Sequence, residues 1–444
     1  MAFVTPKRTE YPDSISTTVA AMQQRLAQLS KDTKHPGSIP TVIASFLHFD
    51  TCFTIWVILS ALSVYISPSL HLNAAQQGLM VAIPTLSGCL FRFPIGLLSD
   101  RLSTKWIGVS ILLFLFIPLS LGWLMPVDFS ALLGIGLMLG VAGGSFAVTL
   151  PLASRWYPPS KQGLVMGIAA AGNIVTVIAN LFAPRLASIY GWHTVLGIAM
   201  IPLAVTLLAF LIMAKDSPTK PKSVSVSHYA TALKKANIWW FCLLYSVTFG
   251  SFVGLSTFLP QFFHNQYQLD AIDAGYLTAA AAFMGSILRP LGGYLADKWG
   301  GVRILTVVLV AIFALYGLTS LLWPIGFTAT LFIIGMAFLG IGSGAIFQLV
   351  ALCFSTEIGV AAGLIGAFGG IGGFLLPILM GYINFSFHSY TTGWVVLADF
   401  VFIALIVLRI LIIVDDDWRT SWAAKKEASN FSSSISWVSF HSGW

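Results

Sequence analysis

Twelve apolar stretches, each long enough to cross the hydrocarbon core of a membrane as a helix, follow one another between residues 42 and 414. The first covers 42–66 and the last 392–414, with short polar loops between them. A helical crossing needs about 20 apolar residues. Membrane barrels instead show alternating segments of about 10 residues. Soluble domains carry about 25% charged residues, whereas here 9% are charged and 57% hydrophobic, with a mean hydropathy of +0.87. Such a chain has too little polar surface to face water. The expected fold class is therefore an all-α membrane protein with twelve transmembrane helices. It divides into an N-terminal arm (1–41), a first six-helix half (42–214), a central loop (215–236), a second half (237–414) and a Ser-rich tail (415–444) that reads as disordered.

The basic residues set the orientation, because Lys and Arg accumulate in cytoplasmic loops. Lys7, Arg8, Arg25, Lys31 and Lys34 precede the first stretch. Arg101 and Lys105 follow the second, Arg155 and Lys161 the fourth, and Lys298 and Arg303 the eighth. The central loop adds Lys215, Lys220, Lys222, Lys234 and Lys235, and the tail Arg419, Lys425 and Lys426. Arg185 lies toward the opposite side. Both termini are thus expected in the cytoplasm. This bias accounts for the net charge of +7 and removes any reason to invoke nucleic acid as a partner. Residues 1–41 contain no apolar core of a signal peptide, so no cleavable signal is expected. Cys52, Cys89, Cys242 and Cys353 all fall within spans and form no CxxC pair, which reads as small core residues.

Within the second span, "LFRFPIGLLSDR" places Arg92 in the membrane interior. An arginine there costs about 2.5–3.5 kcal/mol on the insertion scale. The stretch recurs as "ILRPLGGYLADK" in the eighth span, with Arg289 in the same place. In both copies a glycine (Gly96, Gly293) comes four residues after the arginine. An aspartate (Asp100, Asp297) comes eight after it, and a basic residue (Arg101, Lys298) follows directly. "GLVMGIAAAGN" in the fifth span likewise repeats as "GLIGAFGGIGG" in the eleventh. Two parallel six-helix halves joined by a polar loop resemble the major facilitator superfamily. The G-x-x-x-D-[RK] pattern after the second helix of each half is similar to that superfamily's loop motif. Charges at such a mouth, bonded in one state and free in another, bias a rocking equilibrium. Asp100, Arg101, Asp297 and Lys298 are accordingly gating candidates.

The two arginines occupy equivalent positions in the two halves, each ~12 Å inward from its loop aspartate by helix rise. They either pair with a buried carboxylate, for which Asp50 and Asp399 are the candidates, or face each other and hold an anion between them. Guanidinium groups present parallel donors that suit flat oxoanions such as carboxylate, nitrate or nitrite. Because they stay charged throughout, neither can carry a proton. Tyr245 and Phe249, one turn apart in "LLYSVTFGSF", and Phe146 after "AGGS" are aromatic candidates for the walls. Asn173 is a polar side chain in an otherwise smooth stretch.

The resemblance then narrows. "SFLHFDTCFTIWV", "RFPIGLLSDR", "GGSFAVTLPLASRWYPPSKQGLVMGIAAAGN", "LLYSVTFGSFVGLSTFLP", "LRPLGGYLADKWGG", "GIGSGAIFQLV" and "GAFGGIGGFLLP" are similar to the nitrate/nitrite porter family, particularly its bacterial assimilatory branch, over residues 42–414. The resemblance implies that Arg92 and Arg289 clamp the anion, that Phe53, Phe146, Tyr245 and Phe249 enclose it, and that Asn173 serves as the fifth-helix asparagine. Two departures stand out. Val175 replaces a usual glycine, and Glu357 in "CFSTE" lacks a usual basic neighbour.

The expected function is alternating-access transport of nitrate, with nitrite as a second substrate or exchange partner. Rival readings are a carrier of small carboxylates such as formate or oxalate, and a non-transporting sensor on the same fold. No nucleotide loop, metal-ligand cluster or nucleophile–base pair supports an enzyme, so neither cofactor nor metal is expected. The partners are the anion and membrane lipid, with the chain as a monomer. Driving an anion into an inside-negative cell works against about 2.3 kcal/mol per 100 mV. Uptake therefore needs proton symport or anion exchange. His48 and Asp50 are the leading proton-coupling candidates, beside Asp399 and Glu357.

Overall fold

A backbone inside lipid must satisfy its own hydrogen bonds, and every element among the described residues is helical. The computed structural model describes residues 37–157, 175–217, 233–354 and 358–420. α1 begins at Ile39–Trp56 and continues through the short helices Ile58–Ala61 and Ser63–Ser69. α2 is Ala74–Arg101, α3 Thr104–Leu124 and α4 Phe129–Ser154. α5 is described over Val175–Tyr190 and α6 over Trp192–Met213. The second half comprises α7 (Ala236–Tyr267), α8 (Ala271–Trp299), α9 (Gly301–Thr319), α10 (Ile325–Cys353), α11 (Ile358–Phe387) and α12 (Thr391–Val414). Among the described residues eleven helices are long and apolar enough to span a membrane, and α5, described from Val175, adds the shorter apolar stretch Val177–Tyr190. The arm before residue 37, the tail after 420, Asn173 and Glu357 lie outside the described residues.

Polar side chains set where several helices start. Asn73 and Gln76 form a reciprocal capping box on α2. Asp128 and Asp270 accept the backbone N–H of Ala131 and Asp273 at the starts of α4 and α8. Both termini of the bundle lie at one end. There Gly37 donates to the Trp156 carbonyl after α4, and Trp418 Nε1 donates to Asn237 Oδ1 on α7.

The halves meet along two principal seams, α2 against α11 and α5 against α8. Both depend on glycine, since small residues let backbones approach closely in lipid. A β-carbon on Gly78 would stand 3.2 Å from the Cα of Gly381, and one on Gly275 3.2 Å from the Pro184 ring. Toward the end remote from the termini, an amide cluster ties the halves together. Gln77 Oε1 accepts from Gln261 and from Asn265 (3.1 Å), which also donates to the Tyr390 hydroxyl (3.3 Å). Arg185 of α5 lies 5.0 Å over the Tyr276 ring of α8 at the same end.

Cys52, Cys89 and Cys242 are buried as the sequence suggests, but Cys353 is exposed at the last residue of α10. Its place at a helix end, rather than in mid-span, separates it from the packed core.

Within the second half, α8 and α10 cross backbone to backbone. A β-carbon on Gly340 would press into the Gly285 carbonyl, whereas one on Gly317 meets nothing within 4 Å. Gly340→Leu should therefore cost about 1–3 kcal/mol through overpacking and lower the thermal unfolding midpoint in detergent. Gly317→Ala should leave that midpoint unchanged, and thermal melts of the two variants check the contrast.

Candidate functional site

Four helices are irregular near one level of the bundle. α4 tightens into a 3₁₀ segment at Gly140–Ser145, and α7 widens into a π segment at Ser246–Gly250. α8 is interrupted at Leu288 and restarts at Arg289 with Pro290 in its first turn. α2 carries Pro94 two residues beyond Arg92. Proline removes a backbone donor and π turns widen the helix, so side chains and carbonyls at this level can face inward.

Arg92 is 8% exposed. Its Nε donates to the Gly143 carbonyl of the 3₁₀ segment at 3.1 Å, and its Nη1 to the Gly366 carbonyl of α11, in the other half, at 3.2 Å. The guanidinium lies 5.5 Å from the Trp56 ring and 5.4 Å from the Phe146 ring, within the range of cation–π attraction.

Arg289 is half-buried and repeats this arrangement with different partners. Its Nη2 donates to the Tyr245 hydroxyl at 2.7 Å, and its guanidinium lies 5.0 Å from Phe249 and 5.8 Å from Phe347. Tyr245 and Phe249 stack nearly parallel, 4.9 Å apart at 9°. The glycine-rich part of α11 joins the two constellations. Gly366 binds Arg92, while a β-carbon on Gly369 would press on Tyr245 and Phe249.

Neither arginine has a carboxylate partner among the described residues; their hydrogen bonds go to carbonyls and a phenol. The bonds to described residues use three of the donors, and each guanidinium carries five. An unneutralised pair of guanidinium groups walled by aromatic rings suits a small anion.

The remaining candidates divide. Phe146, Tyr245 and Phe249 stand against the arginines. Phe53 packs one layer behind, between Phe49 at 4.3 Å and Trp56 at 4.8 Å. His48 does not join the site. It is fully buried between α1, α3 and α6, with Nε2 3.1 Å from the Gly108 carbonyl, Nδ1 3.6 Å from Cys52 Sγ and its ring 4.7 Å from Phe210. Asp50 is 9% exposed, and its Oδ1 is buried without a partner. Asp399 is exposed on α12. In the loop motifs, Asp100 falls in the last turn of α2 and Arg101, exposed, ends it. Asp297 Oδ1 accepts from Gln348 of α10 at 3.1 Å, and Lys298 Nζ lies 5.6 Å from the Trp299 ring.

Two ring residues of the site escaped the sequence reading, Trp56 and Phe347. The signal for Phe347 was present, because "GSGAIF" ends at the place in α10 where "VAGGSF" ends in α4 with Phe146. Trp56 follows Phe49 and Phe53 at helical spacing, and its indole N–H, bonded to the Pro84 carbonyl at 2.7 Å, fixes it under Arg92.

Two six-helix halves with a polar site at mid-seam are the arrangement of a membrane transporter. The Major Facilitator Superfamily model matches residues 44–359. The crystal structure of the nucleoside transporter NupG shares the fold, with a TM-score of 0.66 at 16% identity over 84% of this chain and 98% of that one. So does the inward-facing, occupied bacterial homologue of the human lysosomal transporter Spinster, with a TM-score of 0.61 at 17% identity over 86% and 96%. Nearer in sequence is the nitrite extrusion protein of Bacillus subtilis (strain 168), 32% identical over 85% of this chain and 95% of the relative. The probable nitrate transporter NarT of Staphylococcus haemolyticus (strain JCSC1435) is 30% identical over 80% and 92%. The chain belongs to the nitrate/nitrite porter family of the Major Facilitator Superfamily.

Among the described residues, Tyr245 is the one side chain that bonds Arg289. A hydrogen bond to a charged group is worth about 1.5–3 kcal/mol. Tyr245→Phe keeps the ring stack but removes that bond, and should weaken binding of a small oxoanion about tenfold, read by titration calorimetry on purified protein.

Proposed function

We propose that this protein carries nitrate across the cytoplasmic membrane, with nitrite as a second substrate, clamping the anion between Arg92 and Arg289. The observation that carries this reading is the pair of guanidinium groups, one from each half, that no described carboxylate neutralises. The names of the Bacillus and Staphylococcus relatives point the same way. The bias of Lys and Arg supports an orientation with both termini in the cytoplasm.

In this mechanism the anion bridges the halves, because each arginine belongs to a different one. The aromatic rings exclude water and hold the planar ion edge-on to the donors, where parallel N–H groups match its oxygens. Rocking exchanges the seam near the amide cluster for one at the other mouth. The charges of the loop motifs (Asp100, Arg101, Asp297 and Lys298) act there as the gate. Asn173 is proposed to complete the enclosure from α5.

The test is nitrate counterflow in proteoliposomes containing the full chain. Arg92→Lys and Arg289→Lys keep the charge but lose the forked geometry. Each should abolish counterflow or cut it severely, with protein still folded in the membrane. Unimpaired counterflow in either variant would sink the clamp.

The gate has its own signature. Asp297→Asn retains an acceptor for Gln348 while removing the charge. It should slow turnover several-fold and leave nitrate affinity nearly unchanged, because the motif lies ~12 Å from the arginine by helix rise. Parallel measurements of exchange rate and equilibrium binding separate the two.

A further inference from the structure

Asp50 is a carboxylate within a membrane-spanning helix, and its Oδ1 is buried with no hydrogen-bond partner among the described residues. We infer that Asp50 carries the proton that accompanies the anion, which makes this carrier a symporter. The inference rests on the anion reading above and deepens it by assigning the coupling ion and its seat.

The neighbourhood of Asp50 is unusually bare of partners. Its Oδ1 is buried with no hydrogen bond, and the residue is 9% exposed. On its own helix, His48 is turned to the Gly108 carbonyl and Cys52, and the Thr54 hydroxyl donates to the Asp50 backbone carbonyl rather than to its side chain. The segments of α4 and α6 packed on α1, Gly140–Ser154 and Met200–Met213, contain no titratable residue. The described part of α5 offers only Tyr190 and Arg185, and Arg185 lies over Tyr276; residues 158–174 before it contain only Lys161. The charged residue of α3 is Lys105, bonded to the Leu211 carbonyl. α2 brings Cys89, Arg92, Asp100 and Arg101, and the described bonds of Arg92 go to Gly143 and Gly366. α7 meets only the outer part of α1 and brings Cys242, Tyr245, His264 and Tyr267.

Depth places Asp50 with the site. α1 and α2 are antiparallel, with Ile39 and Arg101 at the same end of the bundle. By helix rise Asp50 stands ~17 Å from that end and Arg92 ~14 Å. Asp50 follows Phe49 directly, so it lies ~100° round the helix from the stack of Phe49 and Phe53. It therefore stands near the depth of Arg92, on a different side of α1 from those rings.

An ionised carboxylate without a donor is costly inside a membrane; binding a proton removes that charge. An anion held between the arginines opposes a second negative charge nearby, which favours the protonated carboxyl. Linkage makes the effect mutual, so a protonated Asp50 binds the anion more tightly. The proton also cancels the charge of the anion it accompanies, and with it the opposing work of about 2.3 kcal/mol per 100 mV.

The experiment uses proteoliposomes with a trapped pH dye and nitrate as the probe. In the unmodified protein, external nitrate should acidify a nitrite-free lumen, and an inward proton gradient should accumulate nitrate. Asp50→Asn should lose both while keeping nitrate counterflow within about threefold of the unmodified rate, since exchange needs no net proton movement. Asp50→Glu should restore acidification. Acidification that persists in Asp50→Asn overturns the inference and leaves the anion reading standing. Lack of counterflow in the unmodified protein overturns the anion reading and this inference with it. Should Asp50→Asn lose counterflow as well, equilibrium nitrate binding decides. One linked proton tightens affinity by up to about tenfold per pH unit on acidification. Loss of that dependence in the variant supports the inference, and its retention overturns it.

Discussion

The fold is organised around two guanidinium charges held inside a membrane, with no carboxylate among the described residues to neutralise them. Each is costly there, and the surrounding structure answers that cost in kind. Trp56 and Phe146 beside Arg92, and Phe249 and Phe347 beside Arg289, present the weakly negative face of an aromatic system. The groups that bond them are carbonyl dipoles and a phenol, which orient a cation without cancelling it. A carboxylate in the same place would have ended the attraction for an external anion. The 3₁₀ turn, the π turn and the interrupted α8 fall at this level because polar backbone can face a cavity but not lipid.

Movement imposes a second demand, met by glycine. Arg92 reaches across to Gly366 in the other half, so the seam and the site share a bond. Elsewhere glycines bring the α2–α11 and α5–α8 seams together as backbone against backbone or proline, beside side-chain contacts such as Cys89 against Gly370 and Arg185 over Tyr276. The glycine contacts have little side-chain interlock to undo, so they slide. The amide cluster of Gln77, Gln261 and Asn265 adds direction to an otherwise smooth surface.

Much of this was legible in the residues alone. Twelve helices followed from apolar length, and the paired arginines from a repeat that placed charge where charge is expensive. Tyr245 and Phe249 stood out as a pair one turn apart and Phe146 as the residue after "AGGS", and the family resemblance assigned all three to the enclosure. What stayed hidden has a common cause: carbonyls carry no letter. Gly143 and Gly366 act through backbone oxygens that any residue type possesses, so nothing in "AGGS" or "GAFGG" announces a bond to Arg92. His48 shows the reverse case. As a titratable residue two positions from Asp50 it looked like a proton relay, yet 100° per residue turns it onto α3 and α6, where a carbonyl and a thiol occupy both ring nitrogens.

The π turn in α7 makes one helix serve two surfaces. Before it, Tyr245 faces Arg289; after it, Gln261 and Asn265 face Gln77 across the seam. A π turn holds one residue more than an α turn, bulged out of an otherwise regular helix. Loss of a single position between 246 and 250 would close the bulge to an α turn and still leave an unbroken apolar helix. The outer segment and its amides would then keep their register with Tyr245, whereas the same loss in an α-helical turn would rotate them by ~100°. Along α7 the chain therefore has room to lose a residue at this one turn.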